Sequence, residues 1–333
     1  MSEPVARHRP KMYPPPEFPP RRAKLFARTP PVVFPVILGL LGLVLALRAG
    51  LAAAALPAGP ADLLAGVAVA LWVFAVVAYG TKLLRRPAAI MEDLRVLPSR
   101  GGIAAATMGG MAVAAIVAPF APGVGWMVLL ASLAAHVLQA ALLMWLLWRL
   151  PPEARVMNPT FHMTLVGPIV GGIAAASLGS LTLASLLFVA TLPIAAVIWA
   201  ISILRLQTDQ PPAPLRPLLA IHLAPAAVLA SVAGLIGQDG YELALLVFAL
   251  MIGAGLLVRM RWIMAAGMSP LWGSFTFPLA ALTGAMLNRG GVWAVPGLAM
   301  LALSLATIPA LVWLVLKEWP GGKLAARTNA AEA

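Results

Sequence analysis

Ten times along this chain a long apolar run is interrupted only by a short polar link, a pattern that no water-soluble core can absorb. An α-helix of about 20 residues rises about 30 Å, the thickness of a bilayer's hydrocarbon core, so runs of this length predict membrane-spanning helices. They fall near residues 31–49, 60–82, 102–119, 124–148, 161–179, 182–204, 217–236, 242–260, 270–288 and 292–316. The runs are apolar on every face, whereas transmembrane β-strands alternate apolar and polar over about 10 residues, so a β-barrel is excluded. The length would otherwise suit about two soluble domains, but only 10% of residues are charged and 62% are hydrophobic. Soluble domains carry roughly 25% charge. The chain has no cysteine, which removes disulfides, thiolate metal sites, iron-sulfur clusters and cysteine nucleophiles together.

The formal charge is +12, and its placement separates the partners that such an excess could serve. With ten spans, 21 of the 23 cations fall in the N-terminal tail, in alternate links or in the C-terminal tail, all on one side; only Arg48 and Arg289 lie opposite. Cations concentrate on the cytoplasmic side of membrane proteins, so both termini are expected in the cytoplasm of a bacterial-type inner membrane. No basic face is built, so nucleic acid is not an expected partner; membrane lipid is. Residues 1–30, rich in proline and arginine, are expected as a disordered cytoplasmic arm, residues 31–317 as the membrane domain and residues 318–333 as a cytoplasmic tail. A cleaved signal peptide is not expected, because the first apolar run starts only after residue 30.

The spans are not equivalent. Odd ones carry helix-disrupting or small residues inside: Phe34-Pro35 with Gly39 and Gly42, Gly109-Gly110, Gly167-Pro168 with Gly171-Gly172, Ala224-Pro225, and Phe277-Pro278 with Gly284. Spans two, four and eight lack interior proline and hold bulky side chains such as Trp72, Phe74, Trp145, Trp148 and Phe248, although Pro193 and Pro309 interrupt spans six and ten. A proline inside a helix removes one hydrogen bond and frees the carbonyl four residues earlier, which lipid cannot satisfy. Odd helices are therefore expected inside, around a wet lumen, with even helices outside against lipid. That arrangement is five helical hairpins about an axis, a hydropathy repeat of roughly 55 residues.

From about residue 34 to 317 the chain resembles the tellurite-resistance/dicarboxylate transporter family, which includes TehA-type bacterial channels and the slow anion channels of plant guard cells. The resemblance rests on Phe34-x-x-x-Leu38-Gly39-Leu40, Tyr79-x-x-Lys82-Leu83, Asn158-Pro159-Thr160-Phe161, Leu223-Ala224-Pro225-Ala226 and Trp272-x-x-x-Thr276-Phe277-Pro278-Leu279-Ala280, in that order. It implies ten transmembrane helices in five hairpins around a central pore, usually in a homotrimer with one pore per subunit. It also implies that a phenylalanine of the ninth helix plugs the pore: Phe277, with Phe275 as the alternative. Residues expected to line or kink the pore are Phe34, Pro35, Gly39, Gly109, Gly110, Gly167, Pro168, Gly171, His222, Pro225, Thr276 and Pro278. Two positions depart from the family pattern: Pro35 stands where a glycine is expected, and Asn158 replaces a histidine before Pro159.

Chemistry inside the membrane is sparse. All eleven acids lie in tails, links or span ends, which leaves carboxylate proton relays and cation sites unsupported. A lumen without negative charge, bordered by helix ends and proline breaks, presents positive partial potential to an anion. Arg48 and Arg289 are expected as interfacial anchors or as attractors of anions. His136 is expected to bridge helices, and His222 to sit at the lumen beside Pro225. No cofactor or metal is expected, and neither a dinucleotide fingerprint, a phosphate-binding loop nor an HExxH pair points to an enzyme. The expected function is an anion channel or channel-like transporter for small anions: tellurite, C4-dicarboxylates such as malate, sulfite, nitrate or chloride. The alternatives are a proton-coupled C4-dicarboxylate carrier and a non-transport membrane subunit of an enzyme complex.

Overall fold

The computed structural model describes residues 24–151 and 155–333. Among these residues every regular element is helical. The α-helices are α1 (Val33–Ala53), α2 (Gly59–Arg85), α3 (Ala89–Arg95), α4 (Leu97–Val117), α5 (Pro122–Arg149), α6 (Ile169–Ser177) and α7 (Leu181–Thr208). They continue with α8 (Leu223–Leu235), α9 (Asp239–Val258), α10 (Met260–Ile263), α11 (Thr276–Arg289), α12 (Ala294–Leu316) and α13 (Lys323–Arg327). Among the described residues, eight helical segments are long and apolar enough to cross a membrane, a 3-10 turn and α8 counting as one, Ala213–Leu235. The apolar segment His162–Ser177 is shorter, and the run near 270–288 is divided between a 3-10 turn, Pro270–Phe275, and α11.

Helices α1, α4, α6, α8 and α11 touch in a closed cycle, and each packs against the helix that follows it: α2, α5, α7, α9 or α12. Burial separates the two sets. The segments containing α1, α4 and α8 have 67–89% of their apolar window buried, against 22–28% for α2, α5, α7, α9 and α12. The outer helices expose apolar side chains such as Leu63, Val137, Trp148, Val189, Leu257 and Trp313, a surface suited to lipid and not to water.

Small residues set the inner spacing. A Cβ on Gly39 would overlap the Thr276 side chain, and one on Gly42 would lie 3.1 Å from the Phe277 ring, so α1 and α11 approach at backbone distance. Thr276 ties the same contact, its hydroxyl lying 2.7 Å from the Gly273 carbonyl and 3.2 Å from that of Pro35. The reversals after α6, α8 and α11 are made by Gly179, Gly237 and Gly290, all at positive φ, where a side chain would be strained.

One end of the bundle is closed by a polar clasp. Lys82 and Asp93 are fully buried and paired at 2.8 Å. The Tyr79 hydroxyl donates to Asp93 at 3.0 Å, Lys82 also donates to the Thr29 carbonyl, and the Ala331 amide donates to the other Asp93 oxygen at 2.8 Å. The C-terminal segment expected as a tail therefore carries a folded turn, α13, with Leu324 and Thr328 buried. Of the expected N-terminal arm, residues 1–23 lie outside the described residues. Residues 24–30 are not extended: they form a turn that buries Ala27 and Thr29, and Arg28 pairs with Glu332 at 2.9 Å. What holds this turn is the buried Lys82 ammonium, which donates to the Thr29 carbonyl as well as to Asp93.

Candidate functional site: a cavity at the inner-helix N-termini

The prolines of the inner helices do not kink them in mid-course. Pro98 lies in the first turn of α4, Pro35, Pro225 and Pro278 are the third residues of α1, α8 and α11, and Pro168 caps α6. Proline is well tolerated there because the first-turn N–H groups have no intrahelical partner. Upstream of three of these starts the chain is not α-helical: a π turn runs His162–Val166, and 3-10 segments run Ala213–His222 and Pro270–Phe275. Pro193 and Pro309 lie instead inside α7 and α12, exposed on the outer surface. First-turn proline is not confined to the inner set, since Pro60, Pro122 and Pro296 stand at the starts of α2, α5 and α12; what sets α6, α8 and α11 apart is the π or longer 3-10 turn before them.

Where the freed carbonyl matters, a partner is supplied. Pro168 leaves the Thr164 carbonyl without its helical donor, and His136 Nε2, reaching in from α5, lies 3.0 Å from it. The other ring nitrogen is 2.7 Å from the Thr107 hydroxyl on α4, so His136 bridges three helical segments as expected of a membrane histidine. Gly167 makes this approach possible, since a Cβ there would overlap the imidazole.

These five helix starts surround one narrow cavity of about 50 Å³ that opens toward solvent. Its wall takes Pro35 and Leu38 from α1, Pro98, Gly101 and Met108 from α4, and His162, Met163, Gly167 and Val170 from the π turn and α6. Ala224, Pro225 and Val228 from α8 and Phe277 and Pro278 from α11 complete it. Among the described residues, no acid or base other than His162 lines this wall. Thr160 and Ser274 also border it, but their hydroxyls are used by Asn158 and by the carbonyls of Pro217 and Leu271. The wall is therefore apolar, with helix N-termini behind it, each carrying roughly half a positive charge.

Of the residues expected at a pore, Pro35, Gly167, Pro225, Phe277 and Pro278 border this cavity. Phe34 is buried and packs edge-on against Tyr79, 6.0 Å between ring centroids. Gly39 and Thr276 meet each other; Gly109 and Gly110 pack against Trp72 and Ser132; Gly171 packs against Leu129, Leu133 and Leu187. These glycines sit at contacts between helices. Pro168 caps α6 away from the cavity wall, Phe275 ends the 3-10 turn outside it, and His222 lies behind His162. Pro98 and His162 border the cavity without having been singled out. Pro98 fell in a link because the apolar run starts late, and His162 sat at a span end where a polar residue is ordinary. A proline a few residues ahead of an apolar run, where a helix can start, is the signal available for the first.

Both isolated cations of the opposite face are neutralised: Arg48 pairs with Asp62 at 2.9 Å and donates to the Ile116 carbonyl, and Arg289 pairs with Glu242. They tie helix ends together and do not stand as free attractors of anions.

Residues 28–317 match a family model described as voltage-dependent anion channel. No individual curated protein is a significant match.

Proposed function

Because the chain belongs to the voltage-dependent anion channel family, and is thus a multi-pass membrane protein of a channel or transporter class, we propose that it is a passive anion channel gated by Phe277. The observation that carries this reading is the cavity ringed by five inner-helix N-termini. Partial positive charge from aligned peptide dipoles, without a carboxylate in the wall, favours an anion and disfavours a cation by the same field. An apolar surface between the dipoles holds the ion weakly, which conduction requires.

Ten segments would then cross the membrane as five hairpins, the short α6 and α11 spanning together with the π and 3-10 turns before them. Both termini would be cytoplasmic in a bacterial-type inner membrane, and three copies would associate with one pore each. In support of the gate, the Phe277 ring borders the cavity and rests against Gly42 of α1, where a benzyl group excludes water by bulk and by dewetting. The conducted ions are small anions, with tellurite, C4-dicarboxylates and inorganic anions in the class.

Reconstitution in liposomes with ion-replacement currents tests the reading. Currents that follow the anion gradient and ignore cation substitution are expected from the Phe277→Ala chain; cation-selective current, or silence, would overturn it. A proton-coupled carrier is kept as a second reading by one observation, the buried His162 and His222 pair. A proton gradient that drives anion uptake against its own gradient would favour the carrier.

A further inference from the structure

Two buried histidines face each other beside the cavity with nothing to bind. The rings of His162 and His222 stand edge to face, 5.0 Å between centroids and at 90°. His162 is 1% exposed and His222 8%, and none of their four ring nitrogens has a hydrogen-bond partner. Trp199 of α7 fixes the arrangement: its ring lies 5.3 Å from that of His162, and its indole N–H donates to the His222 carbonyl at 3.1 Å. His162 opens the π turn, an irregularity common where a side chain must be aimed at a site.

The pair separates two spaces. His162 borders the central cavity, and His222 borders a lateral one of about 410 Å³ between α7, α9 and the 3-10 segment Ala213–His222. Arg259 and Gln210 also line the lateral cavity, and Arg259 is the one charged side chain bordering either space among the described residues. Among the described residues, His162 is the hydrogen-bonding side chain of the central wall left without a partner, and His222 stands directly behind it on the lateral side.

From this the geometry points to a specificity-determining anion subsite at His162 and His222 that selects oxyanions carrying their own proton. The inference rests on the anion-channel reading above. A neutral imidazole presents one N–H and one bare nitrogen, so the pair offers donors and acceptors together. A hydrogen oxyanion matches both: its charged oxygen accepts from an N–H, and its O–H donates to a bare nitrogen. A halide, or an oxyanion without a proton, only accepts, and leaves the bare nitrogen desolvated. The hydrogen bond that a hydrogen oxyanion makes to this already buried nitrogen, and that a halide cannot make, is worth about tenfold in binding. Sites built to bind a hydroxyl discriminate against analogues that lack one for this reason.

Bicarbonate and nitrate make the discriminating probes, being planar, singly charged and close in size, and differing in one O–H. Bi-ionic reversal potentials in planar bilayers, at slightly alkaline pH, give their permeability ratio in the Phe277→Ala chain. Adding His162→Phe and His222→Phe together should lower the bicarbonate-to-nitrate ratio about tenfold. Adding His162→Asn, which keeps a donor and an acceptor, should preserve most of it. If the double variant does not assemble, His222→Phe alone should lower the ratio in the same direction. An unchanged ratio in a conducting chain without imidazoles would overturn the subsite and leave the channel reading standing. Absence of anion current in the Phe277→Ala chain itself would sink the channel reading, and the subsite with it.

Discussion

The Phe277 ring has a glycine beneath it and a proline after it, and each constrains it differently. Phe277 and Pro278 are the second and third residues of α11, where proline is tolerated, and a Cβ on Gly42 of α1 would lie 3.1 Å from the Phe277 ring. Phe277→Ala is expected to assemble normally and raise basal anion conductance sharply in bilayer recordings, whereas Phe275→Ala, outside the cavity wall, should leave the current near its starting level. Gly42→Val should push the ring from its seat and also raise basal current, by less than Phe277→Ala; an unchanged current would show that the ring does not depend on this contact. Asp93 supports a separate prediction. Its replacement by alanine strands the fully buried Lys82 ammonium, at a cost of roughly 3–5 kcal/mol, seen as a lowered unfolding midpoint in detergent. Replacing both partners, with Lys82→Met and Asp93→Leu, should recover much of that loss, because no charge is then left buried alone.

At the scale of the element, α6, α8 and α11 are distinguished by what precedes them. Each starts α-helical geometry at or beside a proline, and α6, α8 and α11 are reached through π or 3-10 turns that place His162, Ile221 and Ser274 on the cavity. The outer helices α2, α5 and α9 have no π or 3-10 turn leading into them, although α2 and α5 also begin with proline, and they present apolar rows outward. Cysteines introduced singly at Ala224 or Val228 of α8 should therefore react with a small hydrophilic thiol reagent, while one at Val73, on the exposed face of α2, should stay unreactive in the membrane. The chain has no cysteine of its own to confuse the measurement. Equal protection of all three sites would mean that the inner cavity is dry.

At the scale of the whole molecule, the clasp at one end and the two ion pairs at the other mark the ends of the bundle. Asp93, Lys82, Thr29 and Ala331 join the chain's two terminal segments at the end where the inner helices begin; Arg48 with Asp62 and Arg289 with Glu242 tie the far end. If the cation-rich side is cytoplasmic, Gln238→Cys, on the exposed reversal after α8, should be labelled by an impermeant maleimide in intact spheroplasts. Gln210→Cys, exposed on the opposite side, should be labelled only after the membrane is opened. The reverse pattern would invert the molecule.

How much of this was legible in advance differs by the range of the physics involved. Length and hydropathy are summed over some twenty neighbouring residues, so the sequence alone determined that the chain is a helical membrane protein, with odd segments thinner and more interrupted than even ones. Proline acts within one helical turn, so its presence was readable, but whether it kinks a helix or begins one depends on where the helix starts. For Pro35, Pro98, Pro225 and Pro278 that start is set by packing against neighbouring segments. Glycine carries even less: Gly109, Gly110 and Gly171 read as thin places along a pore, and only the tertiary structure shows Trp72, Ser132 and Leu133 filling the space beside them. His162 and His222 are 60 residues apart and unremarkable singly; a closed ring of helices sets their rings face to edge, and no property of either residue alone encodes that distance.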